Sequence, residues 1–364
     1  MRLAFKVALR VRGRFPVAVL KIKEKTKMKA KQIIFTEINR AELLDIELPS
    51  VKPGCVLVKT EVSTISSGTE RANITGDPNV SATGASGVKF PRASGYNSAG
   101  VVAAVGEGVT SVAVGDRVVV YWGLHRSYNH VKAENVVKIP DGVDFATGAM
   151  SFIASFPMAA IRKTRLEMGE SAMVMGLGVL GMIAVKLLRL AGAVPIIAVD
   201  PNPERRKMAL ECGADHALSP FDDDFADRVK EITGGGVNVA IEVTGVGAGF
   251  NEALDCMAKF GRVALLGCTR NSDFTVDYYK KIHAPGITVI GAHTIARPEQ
   301  ESHPGWFTHR DDIAAVMRLA EGGRLTLTDI VGEVHSPENC PDVYQRLIFD
   351  KNYPVAVQFD WRKL

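Results

Sequence analysis

Three glycines and one aspartate are the residues of this 364-residue chain whose types and spacing point most directly to chemistry. They stand in Gly176-Leu177-Gly178-Val179-Leu180-Gly181 and at Asp200. Gly176 permits a tight turn off a strand. Gly178 lets the backbone approach a pyrophosphate with no Cβ in the way, and Gly181 lets the following helix pack close to that strand. The start of the helix, at Val179 and Leu180, presents free N–H groups and a partial positive charge to phosphates. Asp200 lies ~20 residues after the last glycine, where a carboxylate accepts hydrogen bonds from both ribose hydroxyls. The chemistry implied is dinucleotide binding with hydride transfer. NAD is the expected cofactor, because Asp200 repels a 2′-phosphate. Arg205 and Arg206 follow closely, and a guanidinium can receive that phosphate, so NADP stays possible with Asp200 ranked above them.

The elements that position these residues read as strand, turn, helix, strand. Residues 172–175 are an apolar run, 181–193 have helical spacing, and Ile196-Ile197-Ala198-Val199 is a second apolar run. From 171 to 294 strands alternate with helices: AMVMG, PIIAVD, NVAIEVTG, RVALLG and TVIGAHT are five short parallel-type strands. That pattern predicts a doubly wound parallel α/β sheet. From Lys29 the chain is β-rich: KQIIFTE, DIELP and CVLVKTEVST read as strands, and Pro53-Gly54 is a break. A loop region rich in Gly, Ser and Asn covers 74–99. Residues 100–120 alternate small apolar residues with turns, as a barrel-like β domain does, and ENVVKIPDGV closes it. Helical periodicity runs from near Phe145 to about Arg165 and again over 310–322. The tail, 343–361, is expected to return to strand.

Composition bounds the function. Apolar residues are 46% and charged residues 23%, as in soluble globular proteins. No apolar run approaches the ~20 residues of a membrane span. The five cysteines, at 55, 212, 256, 268 and 340, are scattered and form no CxxC pair. They fit a reducing cytoplasm and argue against a disulfide framework or a zinc knuckle. Residues 1–27 carry nine Lys and Arg against one acid, so this leader is net +8 and the remainder −4. The acidic body has no nucleic-acid footprint. The leader is expected to lie outside the fold, with Met28 opening the folded protein.

Several segments in order resemble the medium-chain dehydrogenase/reductase superfamily. They are VSTISSGTERANITG (62–76), GYNSAGVVAAVGEGVTSVAVGDRV (95–118), the GLGVLG turn, IEVTG (241–245), GRVALLG (261–267) and GITVIGAH (286–293). The likeness covers about residues 28–364. It implies a β-rich GroES-like barrel domain at 28–155, a Rossmann domain at 156–295 and a return to the first domain at 296–364. It places Thr244, Gly245, Gly267 and Ala292 beside the cofactor. It also implies a homodimer or homotetramer, since GITVIGAH would be an edge strand that pairs with its own copy. The partners expected are a small-molecule substrate and another copy of the chain, with no nucleic acid or membrane.

The departures from the family concern its metal. Where zinc-dependent members have Cys-Gly-Thr-Asp, this chain has Ser67-Gly68-Thr69-Glu70; where they have Gly-His-Glu, it has Gly95-Tyr96-Asn97. The third-ligand stretch, Ala149 to Ala154, has no Cys, His, Asp or Glu, and the four-cysteine lobe is missing. Zinc needs thiolate, imidazole or carboxylate donors, so no metal is expected. His125, His130, His293, His303 and His309 are expected as surface or hydrogen-bonding residues.

Without a metal, hydrogen-bond donors must offset charge on the reacting oxygen. Thr69 sits where related enzymes place a relay hydroxyl, although the relay's usual histidine is Ala72 here. Tyr96 can donate its phenol to a carbonyl or simply fill the metal cavity; Asn97 can donate its amide or cap a turn. The segment 303–309, with Trp306 and Phe307, and the loop with Tyr121, Trp122 and His125 are further candidates for substrate contact. Three functions compete: a zinc-independent alcohol dehydrogenase or carbonyl reductase, a reductase of activated C=C bonds in enones or quinones, and a cofactor-binding protein without catalysis. The spelling SGTE and GYNSAG is nearer the polyol-dehydrogenase type and favours the first.

Overall fold

A computed structural model describes residues 28–80 and 88–364. The expectations for the leader 1–27 fall outside the described residues. In chain order the first part holds β1 (Met28–Glu37), β2 (Arg40–Leu48), β3 (Cys55–Thr64), α1 (Ser67–Thr75), β4 (Arg92–Ala93), β5 (Asn97–Val105), β6 (Arg117–Tyr121), β7 (Tyr128–Lys132), β8 (Val136–Lys138) and α2 (Phe145–Thr164). The middle holds β9 (Ala172–Met175), α3 (Val179–Leu190), β10 (Ile196–Val199), α4 (Pro203–Glu211), β11 (His216–Leu218), α5 (Phe225–Thr233), β12 (Val237–Glu242), α6 (Gly247–Asp255), β13 (Met257–Leu265) and β14 (Thr288–Gly291). Then come α7 (His309–Glu321), β15 (Val331–His335), α8 (Cys340–Phe349) and β16 (Ala356–Asp360).

The middle strands form one six-stranded sheet in the order β11-β10-β9-β12-β13-β14, every pair parallel. The first strand of the unit, β9, lies at the centre, and the chain builds outward to either side. This is the Rossmann order, which opens a crevice at the carboxyl ends of the strands where the direction of winding reverses. The strands nearest the centre are buried on both faces, so β9, β10 and β12 carry near-continuous Met, Val, Ile and Ala.

The second sheet runs β15-β16-β3-β5-β6-β8, with β7 also paired to β3, and a small sheet β2-β1-β4 flanks it. Its strands alternate, as in β1, because one face packs inward and the other meets solvent. The last strands of the chain, β15 and β16, thus join strands from residues 55–138.

Helix α2 joins the two halves. Its N-terminus is capped by the Asp144 carboxylate, which accepts from Thr147 N at 2.7 Å. It is buried along most of its length, and it packs on β3, β5 and β6 on one side and on α3, α7, β12 and β13 on another. A helix apolar all round is an interior helix, and the expected boundary at 155/156 falls inside it. At its far end Arg162 and Arg297 hold the buried Asp312 of α7 at 2.9 and 3.2 Å.

The fold departs from the sequence reading in two places. The parallel sheet has six strands, not five: β11 is a three-residue strand, partly exposed, too short to show a period. The tail does not return to strand at 343. Residues 340–349 form α8, whose buried Val343, Tyr344, Leu347 and Ile348 recur at helical spacing, and only 356–360 are strand. The SGTER motif, to which the sequence reading gave no element, opens a helix, α1. No helix among the described residues is long and apolar enough to cross a membrane.

Candidate active site

The carboxyl ends of β9, β10, β12 and β13 face the N-terminal end of α1 across a cleft of about 920 Å³. That is at the upper end for a small-molecule or cofactor site. The Rossmann wall is Gly176, Leu177, Gly178, Val179, Leu180, Asp200, Arg205, Thr244, Gly267, Cys268 and Arg270; the facing wall includes Ser66, Ser67, Thr69, Arg71, Lys351 and Tyr353.

The glycine turn has the geometry its spelling requires. Gly176 has φ +99°, a left-handed conformation that L side chains rarely adopt. A Cβ on Gly181 would stand 1.9 Å from the Gly176 carbonyl oxygen, so helix and turn touch backbone to backbone. Nothing lies within 4 Å of where a Cβ on Gly178 would be, and α3 begins there with no side-chain cap. The N-terminus therefore offers unsatisfied N–H groups to open space, which fits a pyrophosphate.

Two carboxylates hold the loops. Asp200 is 5% exposed; its Oδ2 accepts from Leu177 N at 2.9 Å and its Oδ1 from Asn202 N at 2.8 Å. Arg205 Nη1 lies 3.9 Å from Asp200 Oδ2. Arg206 is turned away, its guanidinium donating to the carbonyls of Asp200 and Pro201 at 2.7 and 2.9 Å. Glu242, at the end of β12, accepts from Thr244 N at 2.7 Å, from the Thr244 hydroxyl and from Gly245 N at 3.1 Å. Burial pushes its carboxyl up, and these hydrogen bonds oppose that. Gly181 packs on Gly176 and Gly245 packs on the Cys268 backbone, and Ala292 is buried beyond β14, its N–H on Leu265 O; these three are not part of the cleft lining.

The end of the cleft at the start of α1 carries hydroxyls. Ser66 is the N-cap of α1, yet its hydroxyl makes no capping bond. Instead it accepts a hydrogen bond from the Tyr96 phenol. Burial pushes that phenol up to about 12, while hydrogen bonds to Ser66 and Thr69 act against the rise. Ser66 and Thr69 line the cleft, and Tyr96 and Asn97 stand behind that lining. Tyr96 stacks on Phe156 at 6.0 Å and meets Phe152 edge-on at 5.7 Å, with Trp122 6.0 Å away. His309 packs on Phe152 at 5.0 Å, and burial lowers its imidazole to about 3, so it is neutral. Asn97 is 1% exposed, and neither polar atom of its amide has a protein partner.

These residues do not fit the zinc of the family. Ser67 and Tyr96 stand at two ligand positions, and the third-ligand stretch puts Phe152 among the rings. Among the described residues, no three His, Cys, Asp or Glu side chains are grouped to hold a metal ion. The segment 303–309 lies mostly elsewhere: Arg162 sits over the Phe307 ring at 4.0 Å and Lys163 over Trp306 at 4.7 Å, so both aromatics pack on the end of α2.

His125, expected as a surface or hydrogen-bonding histidine or as a substrate contact, makes hydrogen bonds but lines no part of the cleft, and the group around it was not read from the sequence. His125 is fully buried, its Nε2 3.2 and 3.1 Å from the two Glu70 oxygens, and its Nδ1 is 2.7 Å from Ser63 Oγ. Nothing in the spacing links residues 63, 70, 125 and 344; only the fold brings them together.

A parallel Rossmann sheet facing a hydroxyl-lined β domain across one cleft defines a two-domain, nucleotide-dependent architecture, and comparison with known proteins agrees. Residues 52–163 match the alcohol dehydrogenase GroES-like domain family, and residues 179–304 the zinc-binding dehydrogenase family. The chain is 30% identical over 267 residues to (R,R)-butanediol dehydrogenase of Bacillus subtilis, covering 66% of this chain and 72% of that protein. It is 27% identical over 329 residues to L-threonine 3-dehydrogenase of Pyrococcus horikoshii, covering 80% and 87%. The crystal structure of 2R,3R-butanediol dehydrogenase from Bacillus subtilis superimposes with a TM-score of 0.76 at 25% identity, over 91% of this chain and 99% of that one. The chain belongs to the medium-chain dehydrogenase/reductase superfamily. It is an oxidoreductase of the alcohol dehydrogenase type.

The contact of Gly181 with Gly176 generates a direct test. Gly181→Ala sets a methyl against a carbonyl that has no room to move without shifting α3. Overpacking of this kind costs about 1–3 kcal/mol, so the variant is expected to melt earlier and to bind NADH more weakly in a fluorescence titration. Wild-type melting and affinity would refute the contact.

Proposed function

We propose that the protein is a zinc-independent, NAD(H)-dependent oxidoreductase that interconverts an alcohol and a carbonyl compound by hydride transfer. The observation that carries this reading is a set of hydroxyls at one end of the cleft, with Ser67 and Tyr96 at the positions that the resemblance gives to metal donors: Ser66, Ser67 and Thr69 line the cleft, and Tyr96 donates to Ser66. The relatives named for threonine and butanediol support a small hydroxylated substrate.

When bound, the nicotinamide supplies or takes the hydride. This chain's residues do the rest. The N–H groups at the start of α3 hold the pyrophosphate, and Arg71, Arg270 and Lys351 add positive charge on the cleft walls. Asp200 accepts from the adenine ribose hydroxyls. Arg206, engaged by backbone carbonyls, is not free for a 2′-phosphate. Because Ser66 Oγ accepts the Tyr96 proton, its own hydrogen is free to point into the cleft at the substrate oxygen. Thr69 offers a second hydroxyl there. The phenol, pushed up to about 12, stays protonated at neutral pH. It therefore acts as a donor, the state that polarises a carbonyl. Location in the cytoplasm, expected from the scattered cysteines, belongs to the same proposal.

Removing a donor to developing negative charge typically costs ~10²–10³ in rate. Tyr96→Phe keeps the ring in its aromatic packing and is expected to lower ketone reduction by about 10² with unchanged NADH affinity, in assays where a chelator has no effect. Full activity of Tyr96→Phe, or inactivation by the chelator, would defeat the reading. Turnover of an enone and quinone panel in place of ketones would instead identify a C=C reductase.

The Asp200 carboxylate sets the cofactor. The specificity constant kcat/KM for NADH is expected to exceed that for NADPH by at least about tenfold, about 1.4 kcal/mol. Steady-state kinetics with both cofactors check this, and a higher value for NADPH would reverse the assignment.

A homodimer or homotetramer follows from β14, the outer strand of the parallel sheet. Its free edge carries Val289, 37% exposed, and an unpaired edge favours pairing with a copy. Light scattering at micromolar concentration is expected to give at least twice the chain mass; a monomer would contradict the pairing.

A further inference from the structure

Glu70 lies one residue after Thr69 on the first turns of α1, but its side chain points into the protein. It is 2% exposed and lines no part of the cleft. Its carboxylate receives three kinds of donor. Ser66 N donates to Oε1 at 2.8 Å, the Tyr344 phenol donates to Oε2, and His125 Nε2 lies against both oxygens.

The donor count fixes the tautomer. An ionised carboxylate only accepts, so His125 Nε2 carries the hydrogen that it donates. Trp361 Nε1 donates to Ser63 Oγ at 2.8 Å, and the Ser63 hydroxyl stands 2.7 Å from His125 Nδ1. With a neutral imidazole, Ser63 donates to Nδ1, and the hydrogens of Trp361, Ser63, His125 and Tyr344 each have an acceptor. Hydrogen bonds then run in a line from Trp361 through Ser63 and His125 to Glu70, which holds the Ser66 backbone N–H, while the Ser66 hydroxyl takes the bond from Tyr96.

This line is expensive if its only role is packing. Withdrawing a carboxylate from water costs several kcal/mol even after relaxation. Apolar side chains would fill the same space without that cost. What the network adds is orientation. An N-cap serine ordinarily turns its hydroxyl onto the N–H groups of its own helix. Here Glu70 holds the Ser66 backbone from inside, the Ser66 hydroxyl makes no cap, and that hydroxyl is left for Tyr96 and the cleft.

We infer that Glu70 and His125 are positioning residues for the donor pair Ser66–Tyr96, setting where its hydroxyls point without touching the substrate. The inference rests on the proposed role of that pair. Glu70 also acts through its charge, which raises the Tyr96 phenol. The titratable groups around these two residues are His125, Tyr344 and Tyr353 near Glu70, Cys268 near Tyr96, and the neutral His309 behind the rings.

The test is a double-mutant cycle of Glu70→Gln and Tyr96→Phe, with 2,3-butanediol and NAD as the probe reaction and a tyrosinate titration that needs no substrate. Glu70→Gln is expected to lower kcat about tenfold, the equivalent of a hydrogen bond to a charged group, with the KM for butanediol held within about twofold. The double variant is expected to match Tyr96→Phe alone, since residues acting as one unit are non-additive. Tyr96 is read as the ultraviolet difference between each protein and its Tyr96→Phe counterpart. In the Glu70→Gln background its ionisation is expected at lower pH, because a neighbouring negative charge is gone. Tyr344→Phe, which removes one donor to Glu70 and keeps the ring, repeats the cycle if Glu70→Gln does not fold. Independent, multiplying losses, or unchanged kcat and unchanged tyrosine ionisation in both Glu70→Gln and Tyr344→Phe, overturn the inference while leaving the donor role of Tyr96 intact. A fully active Tyr96→Phe removes the donor reading itself, and the inference falls with it.

Discussion

The cleft depends on how closely α3 approaches β9. The carbonyl oxygen of Gly176 occupies the place a Cβ of residue 181 would need, so the helix begins hard against the turn it leaves. That contact aims the uncapped end of α3 over the carboxyl ends of the central strands. The neighbouring loops are then tied to it from the backbone. Asp200, after β10, takes the N–H of Leu177 in the glycine turn, and Glu242, at the end of β12, takes those of Thr244 and Gly245. Two buried carboxylates thus shape the loops after three adjacent strands. The dinucleotide wall is rigid because its polar backbone groups are already satisfied on the side away from the ligand.

The facing wall answers a different constraint. A family site that loses its metal donors leaves a polar recess, and a recess without partners for its lining is unfavourable. In this chain Tyr96, Trp122, Phe152, Phe156 and His309 fill that region with rings at centroid distances of 4.9–6.2 Å. Edge-to-face aromatic pairs contribute about 0.5–1.5 kcal/mol each beyond their buried area. The positions that the resemblance gives to thiolate and imidazole donors thus lie beside packed rings, with one phenol turned toward Ser66. Asn97 is the exception, since both atoms of its buried amide lack a protein partner.

How far the sequence could be read follows from the range of each interaction. The Rossmann unit was legible because its determinants are local: a turn, a helix start and an acid separated by a fixed stretch of chain. The superfamily, too, showed in contiguous motifs. Strand β11 was not legible, being too short for any period, and α8 was masked by the β-branched and aromatic residues of Val343, Tyr344 and Ile348. At the other wall of the cleft, the sequence singled out Thr69, Tyr96 and Asn97 from their places in contiguous motifs and left each with two readings. The hydrogen bond from Tyr96 to Ser66 was not legible, because it depends on the uncapped hydroxyl at the start of α1, which no motif encodes. Glu70, His125, Tyr344 and Trp361 are up to 291 residues apart in the chain, and only the fold brings them together.

This arrangement also says what kind of donor the site needs. A metal cation polarises a carbonyl through fixed charge and can stabilise an alkoxide as it forms. In the proposed reading the donors are neutral hydroxyls, and behind them stands the anionic Glu70. A negative charge in the interior disfavours a second one developing nearby. An alkoxide lingering at Ser66 would therefore be held less well than at a metal. The consistent course is for a proton to reach the substrate oxygen as the hydride reaches carbon, so that full negative charge never accumulates there. An alkoxide is a far stronger base than a phenolate, even one pushed up to about 12, so transfer from the hydroxyl line is downhill. Burial above all, with a smaller contribution from this anion, raises the Tyr96 phenol, and the anion thus makes static stabilisation the poorer option and proton donation the better one.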